Sequence, residues 1–237
     1  MAPHSTTDPL TAVQWSNDLH GAANPLAFLL APARFIVADR TADSMSITLS
    51  GPRCFGAGLG PHPPLRDEWE SCVLAGPDAP DHVSELARID EWDFYTSPTR
   101  DLASDSGPEV IHDDALVETL LIRHAPHSAV WPGHREVVDW FAGRDDVGVV
   151  VAVAALVRWE SGHHVLSSVA TVAEARGRGF ATRIVNDVIG AAHARGIEWL
   201  GLGVGHDNVI AHRVYRRAGF TLRANFSSYS TEGSHHH

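Results

Sequence analysis

The sequence predicts a mixed α/β domain of the α+β type, and three consecutive features of its C-terminal half support this. Residues 148–159, GVVVAVAALVRW, form a continuous β-branched run typical of a strand buried on both faces. HHVLSSVATV (163–172) predicts the next strand, and the glycine loop RGRGFA (176–181) follows it. Beyond the loop, apolar residues fall on one helical face: Phe180, Ile184, Val185, Val188, Ile189 and Ala192. Strand, glycine loop and amphipathic helix therefore follow one another directly.

The rest of the C-terminal half also contains both predicted helices and predicted strands. DDALVETLLIRHA (113–125) and HREVVDWFAG (134–143) predict two helices, and IEWLGLGV (197–204) predicts a strand. Asp207 or Asn208 caps a further helix that runs through Ala218 and stops at Gly219. FTLRANFSSYS then predicts a final strand or hairpin.

The N-terminal half has weaker patterns. Residues 10–30 are mostly helical by composition, and ARFIVAD and SMSITLSG predict a hairpin joined by RTAD. EWESCVLAG (68–76) and EWDFYTS (91–97) predict strands, with a helix from Asp81 to Ile89 between them. The polar stretch SPTRDLASDSGPE (97–109) predicts a linker. We therefore expect an accessory domain over residues 1–96, a linker over 97–109 and a second domain over 110–232; residues 233–237, GSHHH, are a tag remnant.

Composition limits the function classes. The chain has 237 residues, 44% of them hydrophobic, and a net charge of −11. All 18 basic residues are arginines, which excludes a Schiff-base lysine and a P-loop lysine. The acidic balance disfavours a nucleic-acid partner, because phosphate neutralisation needs a basic face. Two cysteines, Cys54 and Cys72, are too few for a disulfide framework, and no apolar run is long enough to span a bilayer. A cytoplasmic protein is the expectation.

Two stretches share one glycine pattern: RCFGAG (53–58) and RGRGFA (176–181). Such a turn presents backbone N–H groups to a phosphate only where a strand enters it and a helix leaves it. LGPHPPL follows RCFGAG, and its prolines forbid a helix there, so we interpret RCFGAG as an ordinary glycine turn with a buried cysteine. RGRGFA has the required strand and helix on its two sides.

The stretch SSVATVAEARGRGFATRIV, followed by DNVIAHRVYRRAGF (207–220), resembles the GCN5-related N-acetyltransferase (GNAT) family. RGRGFA is similar to the family's Arg/Gln-x-x-Gly-x-Gly/Ala loop for acetyl-CoA, with Ala181 in place of the commoner glycine. Asn208, Ala211, Tyr215 and Gly219-Phe220 match its second motif. WDFYTSP and the arrangement of elements after it also look like actinobacterial members that have an extra N-terminal domain, here accessory or a degenerate GNAT-like copy.

The resemblance implies a GNAT fold, whose mostly antiparallel sheet is splayed at the acyl-CoA site. The pantetheine arm would hydrogen-bond to the backbone of Val169, Ala170 and Thr171. The pyrophosphate would lie on the loop and helix start, formed by Gly177, Arg178, Gly179, Phe180, Ala181 and Thr182. Asn208 would contact the cofactor, although the same residue type also serves as a simple helix N-cap.

Tyr215 matches the family's general acid. A phenol with a pKa of about 10 can protonate a leaving thiolate whose conjugate acid has a pKa of about 8.5. The general base stays open between a water chain and five side chains: His163, His164, Glu160, His124 and His127. Trp131, Trp140 and Phe141 line either the acceptor pocket or the core.

The implied activity is direct transfer of an acetyl group from acetyl-CoA to a primary amine, with the N-terminal unit shaping the acceptor site. Another acyl-CoA donor, or a CoA-binding regulatory or scaffold protein without turnover, are the alternatives. Residues 1–110 hold 16 acidic residues and 6 arginines, which favours a cationic or zwitterionic acceptor. The acceptor itself and the choice between monomer and homodimer stay open.

Overall fold

The structure is a computed structural model that describes residues 3–75, 86–102 and 108–231. Its helices are α1 (Pro9–His20), α2 (Pro25–Leu29), α3 (Asp114–His124), α4 (Phe180–Ala194) and α5 (Val209–Arg217). Its strands are β1 (His4–Thr6), β2 (Phe35–Arg40), β3 (Met45–Leu49), β4 (Phe55–Leu59), β5 (Ser71–Ala75), β6 (Ala87–Pro98), β7 (Glu109–Ile111), β8 (Val137–Arg144), β9 (Val150–Arg158), β10 (His164–Thr171), β11 (Trp199–Gly205) and β12 (Thr221–Ser230). No helix among the described residues is both long and apolar enough to cross a membrane.

All the strands join one sheet in the order β1-β2-β3-β4-β5-β12-β6-β11-β10-β9-β8-β7. Its strand pairs are antiparallel except for β4 with β5 and β10 with β11. The long strand β12 joins the two halves of the chain, because it pairs with β5 on one edge and β6 on the other. The fold is therefore of the mixed α+β type, with a large and mostly antiparallel sheet.

Strand β9 lies at the centre of two apolar layers. Val153, Ala155 and Val157 pack into one layer together with α3 and α2, and the alternating Ala152, Ala154 and Leu156 pack into the other beneath α4. This confirms the prediction of a strand buried on both faces. The predicted apolar face of α4 is also confirmed, since all six of its predicted positions are buried.

The predicted helix over residues 134–143 is wrong, because β8 occupies Val137–Arg144. Val137 and Val138 are β-branched and Trp140 and Phe141 are aromatic, and these residue types favour strands. The strand pairs with both β7 and β9, so it lies inside the sheet. β9 is the next strand in the chain, but β7 lies on the far side of α3, and a short local pattern could not reveal that pairing.

The predicted glycine turn at RCFGAG is also wrong, because residues 55–59 form β4 and Cys54, just before it, is half-buried. A Cβ atom on Gly56 would lie 2.0 Å from the Trp69 ring, and one on Gly58 would lie 2.8 Å from Leu74 and Pro63. The glycines therefore make room for side chains that pack onto the strand. No helix begins at this stretch, in line with the sequence argument from its prolines.

Two further predictions fall partly outside the described residues. Residues 81–85 of the helix predicted from Asp81 lie outside them, and the end of that prediction is wrong because β6 already begins at Ala87. Residues 103–107 of the predicted linker also lie outside the described residues, while residues 97 and 98 end β6. The other predicted strands and helices are observed, with α1 and α2 accounting for residues 10–30.

Candidate active site

Strands β10 and β11 run parallel but pair at only two positions, His164 with Leu200 and Val165 with Gly201. Along the rest of β10, from Leu166 to Thr171, no described strand pairs with the edge that faces β11. On the opposite edge β10 stays paired with β9 as far as Thr171. The two strands are therefore splayed, and backbone groups of β10 border the gap.

A bulge in β10 coincides with the splay. The register against β9 shifts between Ser167 and Ala170, and Ser168 has a φ of 50°, which a residue with a side chain rarely adopts. The Ser168 hydroxyl donates to the carbonyl of Val130 at 2.8 Å, and Val130 N–H donates to Ser168 Oγ at 3.2 Å. The bulge is thus held by the segment that joins α3 to β8.

The glycine loop lies between β10 and α4, as predicted. Gly177 and Gly179 have φ values of 78° and 86°, and a Cβ atom on either would meet nothing within 4 Å. None of the backbone N–H groups of residues 177–182 donates a hydrogen bond to another described residue, and the first bond of the helix is from Arg183 N–H to the Gly179 carbonyl. A row of free donors at a helix N-terminus is an anion-binding arrangement.

Three arginines surround the loop. Arg176 donates to the carbonyls of Thr171 (3.2 Å) and His124 (3.3 Å), so it ties the end of β10 to the end of α3. Arg178 and Arg183 lie over the Phe180 ring, and an Arg178 nitrogen is 3.7 Å from Asp146. Arg178 keeps about half of its side chain exposed, so its charge faces solvent beside the free N–H groups.

Asn208 is the N-cap of α5, because its side-chain oxygen accepts from Ala211 N–H at 3.1 Å. The simpler of its two expected roles is therefore observed. Its contact with a cofactor stays a prediction, and its exposed position leaves the amide nitrogen accessible.

Tyr215 lies on α5 with its ring edge-on to Phe220, the two centroids being 6.1 Å apart. Burial raises the pKa of the Tyr215 phenol to about 12. Its hydroxyl makes no hydrogen bond to another described residue, although the side chain is part-buried. The phenol is therefore fully protonated at neutral pH and has its proton free to donate.

The five base candidates differ in their surroundings. Glu160 is paired with both Arg34 and Arg135, His127 is exposed, and His124 is half-buried at the end of α3. Burial lowers the pKa of both His163 and His164, at the start of β10, which favours the neutral imidazole. His163 also has a buried Nδ1 atom with no hydrogen-bond partner among the described residues.

The suggestion that Trp140 and Phe141 line an acceptor pocket is wrong. Both are buried core residues of β8, 5% and 0% exposed, and they point into opposite apolar layers. Trp131 is half-buried, and its indole N–H donates to the Ser128 carbonyl at 3.0 Å. The expectation had rested on a helix that the structure replaces with a strand.

Phenylalanine side chains other than Phe141 lie against the last paired residues of β10 and β11, where the splay begins. A Cβ atom on Gly201 would lie 2.8 Å from the rings of Phe28 and Phe94, and the Phe28 ring centroid is 4.6 Å from that of His163. Phe28 belongs to α2, so the N-terminal half reaches the splay directly. Sequence reasoning missed this contact, and the only signal for it was the glycine alternation at 201, 203 and 205 in β11.

A buried polar network under α5 was also missed. Asp93 accepts from Asn225 at 2.6 Å and lies 2.9 Å from His206 Nδ1, while the Tyr95 hydroxyl lies 3.0 Å from His212 Nδ1. Arg216 donates to the same hydroxyl at 3.1 Å. These bonds join α5, which carries Tyr215, to β6 and β12. Strand alternation places Asp93 and Tyr95 on one face of β6, but their partners come from distant segments.

Comparison with known proteins agrees with this architecture. The model of the acetyltransferase (GNAT) family matches residues 88–220. A search of curated proteins found no match.

Three solved structures share the fold. A GCN5-related N-acetyltransferase from Kribbella flavida is 17% identical, with a TM-score of 0.57 over 80% of this chain and 88% of its own. A putative GNAT acetyltransferase from Novosphingobium aromaticivorans is 23% identical, with a TM-score of 0.52 over 67% and 71%. A GCN5-related N-acetyltransferase from Sphaerobacter thermophilus is 16% identical, with a TM-score of 0.51 over 81% and 79%. With more than half of its length matched by the family model, this chain belongs to the GNAT acetyltransferase family.

Proposed function

We propose that the protein transfers an acetyl group from acetyl-CoA to a primary amine of a small molecule or peptide, by direct attack. One observation carries the proposal: the N–H groups of residues 177–182, which have no partner among the described residues, follow the splayed strand β10 after one short 3-10 turn. An anion site and an unpaired strand edge, joined end to end, suit a ligand with a pyrophosphate and an extended amide arm.

In this proposal the loop binds the pyrophosphate. The residues that hold it are Gly177, Arg178, Gly179, Phe180, Ala181 and Thr182. Charge-assisted hydrogen bonds from backbone N–H groups, together with the dipole of the 15-residue helix α4, stabilise a dianion at this end. The open space beside Gly177 and Gly179 lets the ligand approach the backbone closely.

The pantetheine arm would lie along β10 beside Val169, Ala170 and Thr171, like an added strand. Their edge toward β11 has no strand partner among the described residues, which supports this role. The Thr171 carbonyl already accepts from Arg176, and its hydroxyl is buried without a described partner. The arm would therefore supply hydrogen bonds that the splayed strand lacks.

The chemistry needs three proton transfers. The ammonium form of the acceptor loses one proton, and the free amine nitrogen attacks the thioester carbonyl. The nitrogen then loses a second proton to water as the carbon–sulfur bond breaks and a thiolate leaves. Tyr215 would give this thiolate its proton, since its pKa of about 12 keeps the phenol protonated at neutral pH. The neutral His163, just before β10, is the base candidate with the best support: its pKa is lowered, and it contacts Phe28, which borders Gly201 where the splay begins.

The proposal extends to the organisation of the chain. Residues 110–232 form the acetyltransferase domain, and residues 1–96 shape the acceptor side, which the contact of Phe28 with Gly201 supports. The family match begins earlier, at residue 88, so β6 contributes to the family's fold. Cys54 and Cys72 are free thiols, which supports a cytoplasmic enzyme.

The test is a thiol-release assay with acetyl-CoA and a panel of primary amines, with mass spectrometry of the products. We expect CoA release that depends on the amine, and a product heavier by one acetyl group. Faster turnover with propionyl-CoA or succinyl-CoA would show that the donor is that acyl-CoA and not acetyl-CoA. Tight binding of acetyl-CoA without release of CoA to any amine would contradict the proposal and favour a binding protein.

A further inference from the structure

A pocket of about 460 Å³ lies between the N-terminal half of the chain and the turn that joins β9 to β10. Phe28 and Phe55 line it from the N-terminal half, and Glu136, Trp159 and Glu160 line it from the acetyltransferase half. Its volume suits a small organic molecule. Nothing in the proposed binding of acetyl-CoA uses this pocket.

The walls are apolar and aromatic. Phe28 is 1% exposed, while Phe55 and Trp159 are half-buried and present part of their surface to the pocket. Such walls favour an alkyl or aryl stem, because its burial removes apolar surface from water on both sides. Aromatic faces also attract a cation.

The charged side chains that line the pocket differ in their hydrogen-bond and ion-pair partners. Glu160 is paired with Arg34 at 3.2 Å and with Arg135 at 2.6 Å, and Arg34 also donates to the Ser50 carbonyl. Arg53 donates to Ser230 Oγ at 3.4 Å. The carboxylate of Glu136, by contrast, has no hydrogen-bond or ion-pair partner among the described residues. Of the pocket's two carboxylates, Glu136 is therefore the one left without a partner among the described residues, and it is part-buried beside aromatic rings. Arg34 and Arg53 line the same pocket.

The pocket adjoins the splay. Its wall residue Phe28 touches Gly201, the last β11 residue that pairs with β10, and His163, the residue just before β10 begins. The Glu136 carbonyl accepts from Arg158 N–H, and Arg158 of β9 lies opposite His164 of β10 in the strand pairing. Glu136 therefore lies about two strand spacings from β10, roughly 10 Å.

We propose that this pocket recognises the acceptor, and that the acceptor is an elongated amine with a second cationic group on an apolar stem. The second cation pairs with Glu136, the stem lies against Phe28, Phe55 and Trp159, and the primary amine reaches the splay beside His163. This inference rests on the proposed function for the transfer step, whereas the binding step stands on the pocket alone.

Three acceptors of equal chain length test the charge preference: octamethylenediamine, octylamine and ω-aminooctanoate. We expect kcat/KM to be highest for the diamine, by at least about tenfold over octylamine, and lowest for the amino acid. Glu136→Gln removes the charge but keeps the side-chain shape, and should bring the diamine down to the level of octylamine. Glu118→Gln, on the exposed face of α3, makes the same change in net charge and should leave the order unchanged.

Calorimetry with octamethylenediamine separates binding from chemistry. We expect the wild type and Glu118→Gln to bind it equally, and Glu136→Gln to bind it at least about tenfold more weakly. Equal affinity in Glu136→Gln, or no binding by the wild type, would overturn the pocket assignment. A diamine that binds through Glu136 but is never acetylated would overturn the proposed function and leave the cation pocket in place.

Discussion

Ser168 and Val130 exchange two hydrogen bonds across 38 residues of sequence, one in each direction. Ser168 lies at the bulge of β10, with a φ of 50°, and Val130 lies in the segment between α3 and β8. The pair holds β10 in the bent course that separates it from β11. A strained residue is thereby kept in place by a contact beside the proposed acetyl-CoA site.

We predict that Ser168→Ala lowers the free energy of unfolding by about 1–3 kcal/mol, because Val130 is buried and its N–H and C=O groups would lose their partner. Urea unfolding measures the change. Ser167→Ala is the control, since its hydroxyl makes only one 3.4 Å contact, and it should cost less than about 0.5 kcal/mol. Equal stability of the two variants would show that the exchange does not hold the bulge.

We predict that Gly179→Glu weakens acetyl-CoA binding at least tenfold, about 1.4 kcal/mol, because it brings a carboxylate to the proposed pyrophosphate site and strains a φ of 86°. Gly196→Glu is the control, since Gly196 ends the same helix, α4, at its far end, has a φ of 74° and has equally open surroundings. Calorimetry should give one acetyl-CoA per wild-type chain and an unchanged affinity in Gly196→Glu. A second equivalent site, or full affinity in Gly179→Glu, would contradict the assignment of the loop.

We predict that Tyr215→Phe reduces kcat by roughly 100-fold with little change in acetyl-CoA affinity, because it removes the proton donor but keeps the ring against Phe220. An acyl thioester with a more acidic leaving thiol should recover part of the rate. Tyr229→Phe, in the buried part of β12, should retain the wild-type rate. Full activity of Tyr215→Phe would make Tyr215 a packing residue, and a collapse of affinity would make it a binding residue.

We predict that the free energy of unfolding falls as the pH drops below about 6.5. Burial lowers the pKa of His20, His163 and His164, so the unfolded chain binds more protons than the folded chain below this pH. Their stabilisation is complete above the ordinary histidine pKa of 6.5 and is lost as the pH falls through the lowered values.

Urea unfolding between about pH 7.5 and pH 5.5 measures this dependence. Asp187, whose pKa is raised by burial, acts in the opposite direction but at lower pH, near the ordinary value of 3.8. His20→Gln lies far from the proposed site in sequence and should flatten the dependence without changing acetyl-CoA binding. A stability that is constant over this range would contradict the histidine assignment.

The sequence by itself determined the parts of the molecule whose signal is local. The buried run of β9, the apolar face of α4 and the glycine loop between β10 and α4 were predicted from neighbouring residues, because strand and helix periods and glycine backbone freedom act within a few positions. The loop and the α5 motif also led to the correct family.

Only the tertiary structure decided the features that depend on distant partners. Residues 137–144 form a strand because β7 and β9 pair with them. Residues 55–59, which overlap RCFGAG, form β4, whose Gly56 leaves room for the Trp69 ring. The contact of Phe28 with Gly201 and the network around Asp93 join segments far apart in the chain, and Glu136 lines a pocket between such segments. Such contacts arise from sheet order and packing, which no local residue pattern specifies, and they decide where an acceptor can bind.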